Sequence, residues 1–151
     1  MTMRPISLSA VLALSLICFS HSPVEVEHCD DADTYYSMEE ALKEPEKVVK
    51  LDIAMLKLTS IDPSIAKLVN LECLDLSFNR FSTLPPEMAE LKKLRVLNLT
   101  GTRFLAKVPA VVAKIPNLEE LDIRDHPEWK GTQFEDAKRL LPNVKVITAN
   151  E

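Results

Sequence analysis

The feature that most constrains this chain is an internal repeat. Four segments line up on their leucines: VVKLDIAMLKLTSI from Val48, LECLDLSFNRFSTL from Leu71, LRVLNLTGTRFLAKV from Leu94 and LEELDIRDHPEW from Leu118. A truncated fifth copy, VKVITAN, begins at Val144. The starting positions lie 23, 23, 24 and 26 residues apart. In each full unit apolar residues hold the first, fourth and sixth places, as Leu71, Leu74 and Leu76 do in the second. In the third, Leu94, Leu97 and Leu99 are followed by Phe104 and Val108 as further apolar places. One unit of this length cannot bury its apolar side chains alone, so a repeat of this period dictates stacked coils sharing a continuous core.

Within each coil, alternation across L-x-L places leucines on one face of a short strand and the intervening residues on the other. The tails IDPSIAKLVN, LPPEMAELKK and VPAVVAKIPN carry proline at one phase: Pro63, Pro85 or Pro86, and Pro109. Proline lacks a backbone N–H and suits the first turn of a short helix, where that donor has no partner. Strand and helical turn then close one coil.

This pattern, L-x-x-L-x-L-x-x-N-x-L over about residues 48 to 150, resembles the leucine-rich repeat family. It is similar to the 23-residue subfamily of Ras-suppressor-like proteins and of many short exported bacterial proteins. The resemblance implies an α/β solenoid, a short horseshoe arc with a parallel sheet on the concave side and short helices or helical turns on the convex side. It also implies a protein-binding role. The ninth place departs from the pattern. Asparagine is expected there to satisfy backbone groups inside the turn, but only Asn79 complies, with Leu56, Thr102 and His126 in the other units. Those turns must be satisfied differently.

Terminal coils need covering. Ser37 followed by Glu40 reads as a capping box opening a short helix from Met38 to Glu44, stopped by Pro45. Residues 33–47, with Tyr35, Tyr36 and Leu42, are therefore expected to form an amino-terminal helical cap, and 48–151 the repeat domain. Thr132 and Glu135 repeat the capping-box spacing ahead of FEDAKRLL, which predicts a true helix in the fourth unit with Trp129 and Phe134 beneath it.

The first twenty residues read as a signal peptide. Arg4 is followed by an uncharged apolar run from Ile6 to Phe19 that is shorter than the ~20 residues a membrane span needs, and Ser20 and Ser22 offer small residues for processing. Pro23 favours cleavage between Ser20 and His21. Cys18 leaves lipid attachment open as an alternative. The expected location is secreted, periplasmic or cell-surface, with membrane association only through lipidated Cys18. Residues 21–32 read as an acidic linker. Its run His28 to Asp33 holds metal-ligand types but has no second pair downstream, so no metal site is expected. With Cys18 removed, Cys29 and Cys73 remain as an even pair in an oxidising compartment, and whether they bond is left open.

Composition excludes other classes. The two glycines, Gly101 and Gly131, leave little material for phosphate-cradling loops. The net charge of −5 lacks the basic stripe that nucleic acid requires. No triad, paired-carboxylate pocket or cofactor motif is visible, so neither an enzyme nor a bound cofactor is expected.

The resemblance places partner binding on the outward strand residues. The third places are Lys50, Cys73, Val96, Glu120 and Val146, the fifth Asp52, Asp75, Asn98, Asp122 and Thr148, and the seventh Ala54, Ser77, Thr100, Arg124 and Asn150. The fifth-place row is acidic or polar throughout and suits a protein partner with a basic surface, although aspartate in L-D-L is also common in the family. As exposed positions, Asp75 and Asp122 are expected to tolerate reversal to lysine with little effect on folding. Cys73 is expected to be solvent-accessible and, with neither His28 nor His126 beside it, no nucleophile. Asn98-Leu99-Thr100 matches the glycosylation acceptor pattern. A second role is self-association through the uncovered fifth strand, Val144 to Ala149.

Overall fold

The computed structural model describes Cys29 and residues 31–148. Six short strands form one parallel sheet in sequence order: β1 (Thr34–Tyr35), β2 (Lys50–Asp52), β3 (Cys73–Asp75), β4 (Val96–Asn98), β5 (Glu120–Asp122) and β6 (Lys145–Ile147). Leu51, Leu74, Leu97 and Leu121 are cross-strand neighbours in register, and all are buried. Ile53, Leu76, Leu99 and Ile123 form the next buried row. These rows, with Ile65, Met88 and Val112 from the opposite wall, make one continuous core.

That opposite wall is built of 3-10 turns rather than α-helices, at Pro63–Lys67, Pro86–Glu90 and Val112–Lys114. Pro63 and Pro86 each start a turn, as their missing donor predicts. Pro109 does not share their phase. Its carbonyl accepts from Val112 as that of Pro85 accepts from Met88, which aligns Pro109 with Pro85.

At the amino end, Ser37 Oγ accepts from the Glu40 N–H, and the one-turn helix α1 (Met38–Ala41) follows. A further strand, β1, precedes it and pairs with β2, so the sheet begins before the first repeat. At the other end, α2 (Gly131–Leu140) starts earlier than Thr132 and Glu135 predict. Its cap is Lys130, whose N–H donates to Gln133 Oε1 at 3.0 Å while its carbonyl accepts from the Gln133 N–H. Trp129 is buried, stacks on His126 with ring centroids 4.1 Å apart and meets Phe134 at 5.4 Å.

Two length differences in the repeat shift side chains. The coil that begins at Leu94 carries one extra residue, and Leu105, not Phe104, takes the buried place that Phe81 holds one coil earlier. Phe104 is extruded and 60% exposed. In the fifth copy the strand lies one residue earlier than the leucine alignment puts it, since Val146 pairs with Leu121 and Lys145 with Glu120. Val146 and Thr148 are therefore buried inward residues, and Lys145 and Ile147 take the outward places. Asn150 and Ala149 lie outside the described residues.

The eighth place of every full unit has left-handed backbone: Met55 (φ 60), Phe78 (φ 54), Gly101 (φ 65) and Asp125 (φ 57). This conformation costs an ordinary residue roughly 1–2 kcal/mol. It recurs because it turns each N–H onto the next coil, from Met55 to the Ser77 carbonyl, Phe78 to Thr100 and Gly101 to Arg124, at 2.8–3.0 Å.

Candidate functional site

The fifth-place residues are the best-defined group on the outward sheet face, and their first task is local. Asp52 accepts from the Ala54 N–H, Asp75 from Ser77, Asn98 from Thr100 and Asp122 from Arg124, each at 2.8–3.1 Å. A side-chain oxygen bonded two residues ahead turns the chain out of the strand, as short polar side chains do in Asx-turns. The second carboxylate oxygens of Asp75 and Asp122 are also engaged. Asn98 Nδ2 donates to Asp75 Oδ2 at 2.9 Å, and the Arg124 guanidinium grips Asp122 with Nε and Nη2. Lys145 Nζ lies 2.9 Å from Glu120 Oε2. Burial of the Asp122 carboxyl opposes ionisation, but the Arg124 guanidinium and N–H outweigh it and hold its pKa below the ordinary value.

The acidic row is thus less available than the sequence suggests. Asp122, Ser77 and Thr100 are buried. Lys50, Asp52, Asp75, Val96, Asn98 and Glu120 are half-buried, and Arg124 is exposed. Reversing Asp75 and Asp122 to lysine would remove two turn-forming acceptors, so the expectation of unchanged folding does not hold. Asn98, committed through both amide atoms, is locked within β4 rather than offered as a glycosylation acceptor.

Cys73 is not solvent-accessible. It is bonded to Cys29, with Cα atoms 6.0 Å apart, and is 5% exposed. The bond pins Cys29 onto the outward face over β3. There Cys29, Lys50, Asp52, Val96 and Asn98 line a hollow of about 270 Å³. A bonded sulfur has no thiol to serve as a nucleophile. His28 and Asp30, two members of the metal-ligand run, lie outside the described residues. So does the apolar run with Cys18. Among the described residues no helix is long and apolar enough to cross a membrane.

The polar residues at the ninth place follow one rule: each bonds a sixth-place carbonyl. Asn79 Nδ2 reaches Ile53 O and Leu76 O, and its Oδ1 accepts from Leu58 N–H. Thr102 Oγ1 donates to Leu99 O at 2.7 Å, and His126 Nε2 donates to the same carbonyl at 3.0 Å. Leu56, with no polar atom to offer, turns outward and is 51% exposed.

Sequence reasoning missed the loop edge beyond the strands' carboxyl ends. Met55, Leu56, Phe78 and Phe104 are all exposed there, and Lys57, Arg80 and Arg103 stand at the tenth places between them. The Phe78 ring lies over Gly101 so closely that a Cβ on the glycine would fall 2.5 Å from it. Glycine and aspartate at the eighth place were the available signal, because both tolerate left-handed backbone.

Residues 46–104 match the leucine rich repeat family model. This chain carries leucine-rich repeats, and the six-stranded parallel sheet with short turns behind it is an α/β leucine-rich repeat solenoid. A solved leucine-rich repeat protein of Leptospira interrogans is similar to it at 22% identity and a TM-score of 0.48, over 76% of this chain and 34% of that one. The chain therefore spans about a third of that protein's length. No curated protein matches. The solenoid architecture is in general that of a protein-interaction module.

Proposed function

We propose that this chain is an exported recognition or adaptor module that binds a protein through the outward, concave face of its sheet, without catalysis. The observation that carries the reading is the hollow over β2–β4. It combines an apolar floor at Val96 and the disulfide with a cation at Lys50 and the half-buried carboxylates Asp52 and Asp75. A mixed apolar and polar patch on rigid strands is what a specific protein contact needs. The Cys29–Cys73 bond supports export, because such bonds persist in oxidising compartments.

The test uses residues that carry no turn. Lys50→Glu with Val96→Asp should leave the circular dichroism spectrum unchanged and abolish capture of the partner obtained with the wild-type chain. Capture at undiminished affinity would remove this face from the interaction. Intact mass of protein recovered outside the cell tests export. A mass beginning near His21 supports it, and a product retaining residues 1–20 counts against it. Lipid on Cys18 would replace secretion by membrane anchoring.

A second reading has one observation in its favour. β6 pairs only with β5 among the described residues, so its other edge offers backbone groups to a second copy. Concentration-dependent dimerisation on size exclusion would support self-association, and a monomer at every concentration would count against it.

A further inference from the structure

We infer that the loop edge beyond the strands' carboxyl ends is a second binding surface, which takes an extended acidic segment of a partner protein bearing large apolar side chains. Along this edge two columns run in register across successive coils. The eighth-place column is apolar in the first two coils, with Met55 71% and Phe78 48% exposed, and the tenth-place column is cationic in the first three, with Lys57, Arg80 and Arg103.

Neither column is consumed by the fold. Some cations elsewhere on the molecule meet carboxylates, as Arg95 does Glu72 and Glu119, Arg124 does Asp122 and Lys145 does Glu120. Lys57, Arg80 and Arg103 have no ion-pair partner among the described residues, in a chain whose net charge is −5. Met55 and Phe78 hold strained left-handed backbone while presenting large apolar side chains to water. The extra residue in the third coil adds Phe104 to the same edge.

The shape selects a peptide over a flat lipid surface. Phe78 stands between two hollows, of about 500 Å³ with Phe134 and His126 in its lining and about 360 Å³ with Phe104 and Arg80. Arg103 lines both. Two sockets sharing one guanidinium fit two apolar side chains flanking a carboxylate, and a guanidinium binds carboxylate through paired hydrogen bonds. Asp125 at the rim of the larger hollow disfavours a second acidic group there and sets the polarity of the segment.

A random peptide library displayed on phage, panned against the full chain with its disulfide intact, tests this. Enriched peptides should combine Asp or Glu with Phe, Leu or Trp, and a synthetic copy should lose at least about tenfold in affinity on Arg80→Glu with Arg103→Glu, and more weakly as salt rises. Phe78→Ser should weaken it separately, while Lys50→Glu with Val96→Asp should not. All these substitutions are at half-buried or exposed positions, and circular dichroism checks each fold. The proposal is overturned if no peptide enriches, if enriched peptides lack acidic residues, or if the double arginine variant binds them unchanged. It is also overturned if phosphatidylglycerol vesicles, and not peptides, bind in a manner lost with Arg80 and Arg103.

Discussion

The outward sheet face and the loop edge differ in what the fold leaves to spare. On the sheet face the polar side chains are numerous and mostly engaged: Asp75 holds Ser77 and Asn98, Asp122 holds the Arg124 backbone and guanidinium, and Glu120 holds Lys145. On the loop edge Lys57, Arg80 and Arg103 stand beside exposed Phe78 and Phe104 with no ion-pair partner among the described residues. Charge written in a sequence is therefore not charge available to a partner. A carboxylate two residues before a free N–H is spent on its own turn, and a cation at a position without neighbours is not.

The comparison presumes the register that puts one face in and the other out. Leu97→Asp breaks that register and has the largest expected effect, because an unpaired carboxylate in the middle of the core costs several kcal/mol. The far-ultraviolet spectrum should be that of an unfolded chain at 25 °C. A native-like spectrum and melt would place Leu97 at the surface.

Cys29→Ser removes the bond that closes 44 residues and covers β3. Loops of this size are stabilised by about 2–4 kcal/mol, so the urea midpoint should fall, and Cys73 should become reactive to a thiol reagent in the native state. Equal midpoints and an unreactive Cys73 would mean that the bond does not form in solution.

Asp122→Ala tests the spent carboxylate. It removes the acceptor of the Arg124 N–H and guanidinium, at a cost of about 0.5–1.5 kcal/mol, measurable by urea denaturation. Because the folded pKa of Asp122 is depressed, its contribution is fully present above the unfolded value of about 3.9 and is lost as pH falls through the lower folded value. The gap between wild type and variant should therefore narrow in acid, and a gap that widens would contradict the assigned hydrogen bonds.

Gly101→Ala should cost about 1–2 kcal/mol from left-handed backbone and additionally displace the Phe78 ring. Adding Phe78→Ala should recover the second part but not the first, so a strictly additive double variant would show that the ring does not rest on Gly101. The smallest effect is expected for Arg80→Ala and Arg103→Ala, each within about 0.5 kcal/mol as exposed, unpaired positions. A larger loss in melting experiments would mean that these cations serve the fold.

The solenoid was legible because its signal is redundant. Leu51, Leu74, Leu97 and Leu121 are in register in the sequence and in the sheet alike, and no other arrangement buries all of them. The outward positions from Lys50 to Arg124 follow from the same alternation, but their exposure does not, because it depends on what each side chain bonds. The fifth strand was misplaced by one residue. Weak apolar signals at Val144, Val146 and Ile147 fit two registers, and pairing with Leu121 decides between them.

Sequence alone determined the repeat period, the inward leucines and the turns that proline begins, since these depend on local geometry and on the rule that apolar side chains leave water. Tertiary structure decided the rest. It selected Leu105 over Phe104 for the core and left Phe104 exposed, because the coil carries one residue more than its neighbour. It brought Cys29 onto Cys73 across 44 residues of chain. It also aligned Met55, Phe78, Gly101 and Asp125 in one left-handed column, in which the N–H groups of the first three each find a carbonyl on the next coil. These outcomes depend on contacts between coils, which no single coil's sequence encodes.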